Sequence, residues 1–268
     1  MSFSIAGKTA IVTGAANGVG LAIARHFLEM DANVVFADMD EEGLVREIGE
    51  EASKDDSRAR YFAGDLREKL SIANLLSATI DAFDTVDILV NASRQVAYSE
   101  ALCPEEDSVE QLLQQNLMTS LRLTQLVAKR MIKQAEEEDK PCQGSIVNLS
   151  SIAARRTHPD LLGYSISCAA LDQMTRAMAV ALAPHNIRVN AVAFGSVMSA
   201  SLKDTLKIKE GCRDDIIRNT PLARIASATE LAEATRFLAS EGSGFMTGQI
   251  LTVDGGRSIV DTVSVAAH

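Results

Sequence analysis

Short runs of β-branched and aliphatic residues alternate with longer amphipathic stretches along the whole chain. The short apolar runs predict buried strands, and the amphipathic stretches between them predict helices. Strands that alternate with helices form a mostly parallel sheet that is covered on both faces. We therefore predict an α/β fold, a doubly wound parallel sheet of about seven strands, and place the strands at 9–13, 33–37, 60–63, 86–90, 145–149, 187–191 and 249–253.

The pattern continues without a break, so one domain accounts for it. No linker rich in Pro, Gly or Ser divides the chain, and we expect a single domain over residues 1–268. The segment 199–219, between the sixth and seventh strands, is long and only weakly amphipathic. Such a segment is either a mobile lid or a plain connector, and its place after the sixth strand favours a flexible lid.

Composition narrows the class of protein. Of the 268 residues, 47% are hydrophobic and 23% are charged, as in globular proteins. The net charge of -10 argues against a nucleic-acid partner, the lack of a long apolar run argues against a membrane span, and the N-terminus does not resemble a secretory signal. Neither the four cysteines nor the four histidines have metal-ligand spacing. We therefore expect no metal, and reduced thiols in a cytoplasmic protein.

A glycine-rich segment follows the first predicted strand directly. It reads Thr13-Gly-Ala-Ala-Asn-Gly-Val-Gly20 and leads into an amphipathic helix. Gly14, Gly18 and Gly20 allow a tight turn and a close approach to a pyrophosphate, which rests on the helix N-terminus. A purely structural turn is the alternative. The strand before the segment and the helix after it favour a dinucleotide site and a Rossmann-like sheet.

The end of the second predicted strand bears on the choice of dinucleotide. Asp38 lies eighteen residues after Gly20, where a carboxylate can accept hydrogen bonds from both adenosine ribose hydroxyls. The carboxylate repels a 2′-phosphate, and the following residues Met39-Asp-Glu-Glu-Gly43 offer no cation to offset it. Asp38 could instead be a solvated residue at a strand end. The sequence favours NAD over NADP.

These features resemble the classical short-chain dehydrogenase/reductase family, and the resemblance covers essentially the whole chain. Its further matches are Asp65-Leu66, Asn91, Asn116, Ser151, Tyr164, Ile187-Arg-Val-Asn190, Gly195 and Val253-Asp-Gly-Gly256. The resemblance implies an NAD(H)-dependent oxidoreductase that interconverts a secondary alcohol and a carbonyl. It also implies cofactor contacts, besides the glycines and Asp38, at Asn17, Val19, Asp65, Leu66, Asn91, Ala92, Gly195, Val197 and Ser199.

The implied catalytic group consists of Asn116, Ser151 and Tyr164. A phenol at the start of a helix can give or take the alcohol proton if its pKa, ordinarily near 10, is lowered. Ser151 can hold the carbonyl or hydroxyl oxygen, and the resemblance implies that Asn116 holds a water on the proton path. Taken singly, Ser151 could be a helix cap, Tyr164 a half-buried helix residue and Asn116 a core amide.

The sequence departs from the family motif one helical turn after the tyrosine. The motif is Tyr-x-x-x-Lys, whereas this chain reads Tyr164-Ser-Ile-Ser-Cys168. The resemblance implies that the lysine lowers the phenol pKa and binds the nicotinamide ribose. A neutral thiol does neither, and the loss of a nearby opposite charge is worth about 1–3 pKa units.

A second departure follows the fourth predicted strand. Relatives read Asn-Asn-Ala-Gly, and this chain reads Asn91-Ala-Ser-Arg94. Arg94 could point outward to solvent, lie against the cofactor, or reach into the pocket and bind a substrate carboxylate or phosphate. Whether its charge replaces that of the lysine stays open.

Two functions compete, and an assembly is expected. The first function is the oxidoreductase acting on a small alcohol or carbonyl, with altered or weak activity, and the second is a dinucleotide-binding pseudoenzyme that acts through binding or assembly. The resemblance implies a homotetramer or a homodimer. Two apolar stripes fit such an assembly: Leu112, Leu113, Leu117, Leu121 and Leu123, and Leu171, Met174, Met178 and Leu182.

Overall fold

A single parallel sheet organises the chain. The computed structural model describes residues 2–261, without the side chains at 200, 201, 204 and 205. Its strands lie in the order β3-β2-β1-β4-β5-β6-β7, which confirms the predicted fold class. They are β1 (Thr9–Thr13), β2 (Asn33–Asp38), β3 (Ala59–Ala63), β4 (Ile88–Asn91), β5 (Gly144–Ser151), β6 (Ile187–Phe194) and β7 (Ile250–Val253).

Helices cover both faces of the sheet. They are α1 (Gly18–Glu29), α2 (Glu41–Ala52), α3 (Lys69–Phe83), α4 (Val109–Leu112), α5 (Thr119–Glu137), α6 (Leu162–Leu182), α7 (Ala200–Ile208), α8 (Cys212–Arg218) and α9 (Ala228–Ala239). The apolar sides of α1, α2 and α9 pack on one face, and those of α3, α5 and α6 pack on the other. Because both faces are covered, the strands read as continuous apolar runs. None of the helices in the described part is long and apolar enough to cross a membrane.

Several strand boundaries differ from the prediction. The fifth and sixth strands continue to Ser151 and Phe194, which pair with each other at the last position of the register. The serines that end β5 can be buried because they form hydrogen bonds; the Ser150 hydroxyl donates to Asp172 at 2.6 Å. The fourth strand begins at Ile88 rather than at residue 86. Just before it, the Asp87 carboxylate accepts from the Thr9 N–H at 2.8 Å.

The proposed lid contains regular structure. Residues 199–219 hold the two helices α7 and α8, and α9 follows before β7. The segment is therefore a helical excursion after β6, and its mobility stays a prediction. The single domain predicted for 1–268 includes residue 1 and residues 262–268, which lie outside the described residues.

Candidate active site

The strand order places the site at one edge of the sheet. The order changes direction between β1 and β4, and the carboxyl ends of parallel strands at such a point form a crevice for ligands. The glycine-rich loop follows β1, Arg94 follows β4, and Ser151 and Phe194 end β5 and β6. Tyr164 lies in the first turn of α6.

The glycine-rich loop has room for backbone alone. Gly14 has a φ of 67°, and a Cβ there would lie 2.8 Å from the Ser93 Cα; a Cβ at Gly20 would lie 2.1 Å from the Gly14 oxygen. No described side chain caps the N-terminus of α1, where Asn17 is the capping residue. The first N–H groups of α1, from Gly18 and Val19 onward, can therefore bind a pyrophosphate. The local structure fits the dinucleotide site that the motif predicts.

Asp38 is held rigidly beside this loop. One carboxylate oxygen accepts from the Ala16 N–H at 3.0 Å, and the other accepts from the Asp40 N–H at 3.1 Å. Both oxygens retain further lone pairs. The carboxylate is thus a fixed acceptor at the end of β2, as a ribose contact requires.

Of the two residues expected near the adenine, Asp65 already has a hydrogen-bond partner and Leu66 is buried. Arg67 donates to both carboxylate oxygens of Asp65, at 2.6 Å in the shortest contact, and this hydrogen bonding lowers the pKa of Asp65. An adenine amino group would share that carboxylate with the guanidinium. Leu66 is buried beside it, at 6% exposure.

The loop after β4 is tied to the glycine-rich loop. The Thr13 hydroxyl accepts from the N–H groups of Ala92 and Ser93, both at 3.0 Å. The Asn91 amide points away from the crevice, since it donates to Thr124 and Asn148 inside the sheet. The cofactor contact expected of Asn91 stays a prediction.

Ser151 and Tyr164 lie together beneath the crevice. The Ser151 hydroxyl accepts from the Ala153 N–H at 3.1 Å, so it also caps a short helical turn. Tyr164 is 4% exposed. Burial raises the pKa of Tyr164, while the Arg94 charge and a hydrogen bond from Ser151 act in the opposite direction. The neutral phenol is therefore the resting form, and it can donate a proton.

Asn116 lies on a π-helical turn, Leu113–Met118, between α4 and α5. Its amide oxygen accepts from the Gln95 N–H at 2.8 Å, and its amide nitrogen donates to the Gln95 oxygen and to the Ser167 hydroxyl. Both amide hydrogens are used in this way. The side chain thus fastens the loop that carries Arg94, and its expected role in holding a water stays a prediction.

Cys168 lies where the motif has lysine and is an inert thiol in this environment. Burial raises its pKa to about 11, so the thiol is neutral at physiological pH. The family cation is absent from this position, as the sequence indicated.

Arg94 points inward, so the solvent-facing alternative is wrong. One guanidinium nitrogen donates to the hydroxyl oxygen of Tyr164 in a short contact. The guanidinium carbon lies 4.2 Å from the centre of the Phe194 ring and 5.9 Å from that of Tyr164. Neither contact of Arg94 was predicted from the sequence. A usable signal was the charge of Arg94 at a position where the motif has glycine.

The segment after β6 is constrained by backbone contacts. The Gly195 N–H donates to the Val253 oxygen at 3.3 Å, and Val197 forms a β-bridge with Ala226. The Ser199 hydroxyl accepts from the Leu202 N–H at 3.2 Å at the start of α7. These residues border the crevice, and their cofactor contacts stay predictions.

The described residues contain no cluster of three or more His, Cys, Asp or Glu side chains that could hold a metal ion. His26 lies 3.4 Å from the Glu233 carboxylate, in the contact between α1 and α9.

Comparison with known proteins places this site in a family. The chain matches the family model described as enoyl-(acyl carrier protein) reductase over residues 14–258. It is 31% identical to 3-oxoacyl-(acyl-carrier-protein) reductase FabG of Thermotoga maritima, over 94% of this chain and 98% of that protein. It is also 31% identical to L-fucose dehydrogenase of Mus musculus, over 94% of this chain and 89% of that protein.

A solved structure agrees with these relatives. A 7α-hydroxysteroid dehydrogenase, complexed with NADH and 7-oxo glycochenodeoxycholic acid, superposes with a TM-score of 0.85 at 30% identity, over 95% of both chains. The relatives are oxidoreductases, and none of these similarities favours the pseudoenzyme. With its glycine-rich loop, its Ser151–Tyr164 pair and this similarity along nearly its full length, the chain belongs to the classical short-chain dehydrogenase/reductase family of oxidoreductases.

Proposed function

We propose that the protein uses NAD(H) to interconvert a secondary alcohol and a carbonyl, with Tyr164 as the proton donor or acceptor. The observation that carries the proposal is the buried phenol of Tyr164 beside Ser151, at the sheet edge where the glycine-rich loop lies. A bound nicotinamide supplies or accepts the hydride in this chemistry.

The protein's own groups handle the oxygen and the proton. The Ser151 hydroxyl accepts from the Ala153 N–H and donates a long hydrogen bond, 3.5 Å, to the Phe194 oxygen. Its hydrogen can turn from that weak contact to hold the substrate oxygen. Tyr164 donates its proton to that oxygen during carbonyl reduction and takes it back during alcohol oxidation. Because burial raises the pKa of Tyr164, reduction can use the resting form of the enzyme. Oxidation needs the phenolate and becomes faster as the pH rises.

Asp38 supports NAD(H) over NADP(H). Its two oxygens are oriented by the N–H groups of Ala16 and Asp40. The residues that follow it are acidic, so a 2′-phosphate would meet negative charge without a nearby cation in the sequence.

We expect NAD(H) to bind more tightly than NADP(H), and Asp38→Ala to weaken NAD(H) binding and narrow the difference. Isothermal titration with both cofactors measures this. Asp40→Ala is a comparison variant that keeps the N–H donated to Asp38 and removes a carboxylate that accepts from the Gly43 N–H; it should narrow the difference less than Asp38→Ala and leave NAD(H) binding nearly unchanged. A preference of the wild type for NADP(H) would contradict the assignment.

We also propose a homo-oligomer, a tetramer or a dimer. The chain itself buries Leu112, Leu123, Leu171, Met174 and Leu182 of the two predicted stripes, so these residues cannot serve an interface. Ile166 and Val180 remain on α6, at 39% and 78% exposure, as apolar surface that a partner would cover. Light scattering is expected to give a multiple of the 28.7 kDa monomer mass. A monomeric mass at micromolar concentration would contradict this proposal.

The lid at 199–219 and a cytoplasmic location complete the proposal. The lid follows β6, and the Ser199 hydroxyl caps the start of its first helix. The location rests on the cysteine pattern of the sequence.

A further inference from the structure

The two departures from the family motif both affect the charge beside the Tyr164 hydroxyl. Cys168 lacks the charge that the motif places one turn after Tyr164, and Arg94 carries a charge that the motif does not have. We infer that Arg94 replaces the motif lysine as the cation that acts on the Tyr164 hydroxyl, and that it does so from the loop after β4 instead of from α6. This inference deepens the proposed function and rests on it.

The side chain of Arg94 contacts Tyr164 and is held there by Phe194. Its guanidinium donates to the Tyr164 oxygen and stacks on the Phe194 ring, with 4.2 Å between the guanidinium carbon and the ring centre. Within residues 2–261 it forms no ion pair with a carboxylate, so its charge is not neutralised locally. Stacking on an aromatic ring holds a guanidinium in place and leaves its N–H edge free to donate. Phe194 therefore acts as a support for the cation.

The loop that carries Arg94 is fastened on both sides. Before it, the N–H groups of Ala92 and Ser93 are bound by the Thr13 hydroxyl. After it, both backbone groups of Gln95 are bound by the Asn116 amide. The guanidinium is therefore directed toward Tyr164 by the backbone on either side as well as by its own contacts.

The charge of Arg94 and the burial of Tyr164 have opposite effects on the pKa of the phenol. Arg94 from the β4 loop, Cys168 from the same helix and Ser151 from β5 are the charged or titratable side chains and the hydroxyl that face Tyr164. Among these, Arg94 alone can carry a positive charge. A cation in contact favours the phenolate by about 10- to 1,000-fold in its ionisation constant. A guanidinium does not give up its proton in proteins, so Arg94 supplies a fixed charge and does not relay the proton.

The ionisation of Tyr164 can be measured directly in the cofactor-free protein. The chain has three tyrosines and no tryptophan, so fluorotyrosine labelling gives three fluorine NMR resonances. Fluorine withdraws electron density from the ring and so lowers the phenol pKa, which brings the ionisation closer to neutral pH. Tyr164→Phe identifies the resonance of Tyr164, and those of Tyr61 and Tyr98, which are exposed, serve as internal controls.

We expect Arg94→Gln to raise the pKa of Tyr164 by about 1–3 units, and Arg94→Lys to restore most of the difference. Arg94→Gly, which carries the family residue, is a second variant and is expected to behave like Arg94→Gln. The inference is overturned if wild type and both neutral variants give the same titration curve for Tyr164, flat curves included. The titration involves no cofactor and no substrate, so a failed assay of NAD(H)-dependent turnover does not affect its outcome.

Discussion

Arg94→Gly is expected to lower the rate of alcohol oxidation, which needs the Tyr164 phenolate, and adding Cys168→Lys to it is expected to recover most of the loss. The first change removes the cation on Tyr164, and the second returns a cation from the position that the family uses. The pKa effect alone corresponds to about 10- to 1,000-fold in rate. Cys168→Lys alone should give no gain, because the new ammonium would meet the guanidinium of Arg94 near the same oxygen.

A double-mutant cycle tests this prediction with four proteins: wild type, both single variants and the double variant. The measurements are pH–rate profiles for alcohol oxidation with NAD⁺, together with NAD(H) titrations that separate binding from chemistry. Independent effects, with Cys168→Lys equally beneficial in the presence and absence of Arg94, would show that the two residues do not act on one group. A faster Arg94→Gly enzyme would show that the guanidinium obstructs the site.

Tyr164→Phe is expected to lower kcat about 10²- to 10⁴-fold, the usual contribution of a positioned proton donor. The substitution keeps the ring that packs beside Leu112 and Ala153 and removes the hydroxyl. NADH affinity should change little by comparison, since no proton is transferred on binding. The measurement is NADH oxidation with the fastest carbonyl substrate found in a panel.

Tyr61→Phe is the matched control for this substitution. Tyr61 lies on the edge strand β3 and is 38% exposed, so removing its hydroxyl should leave the rate unchanged. Equal rates for wild type and Tyr164→Phe would assign the proton transfer to another group.

Local sequence patterns predicted the framework because the causes there are local. Each apolar run forms a strand that is buried on both faces, so the run itself carries the information. The glycine-rich loop is similar: Gly14 and Gly20 lie where a Cβ would meet backbone, and no other residue type fits that spacing. The position of Asp38 was also predictable, because Asp38 ends β2, the strand that pairs with β1 just before the glycine-rich loop.

The orientation of side chains in the site depended on contacts between distant segments. Arg94 and Tyr164 are seventy residues apart in the sequence. The sequence left three orientations of Arg94 open, because the choice depends on how β4, β6 and α6 pack together. The same applies to Asn116, whose amide could hold a water or fasten a loop according to what faces it. The apolar stripes left a similar ambiguity, because periodicity shows that a helix face is covered without showing how much of the cover is the chain's own sheet and how much is a partner.

The central claim is that this site transfers hydride between NAD(H) and a carbonyl or alcohol, with the proton passing through Tyr164. The substrate panel tests it most directly, run with NADH in the direction of reduction because the phenol is the resting form. We predict NADH oxidation that depends on the carbonyl compound, is slower with NADPH, and is lost in Tyr164→Phe. Tight NADH binding without turnover of any carbonyl or alcohol in the panel would contradict the account.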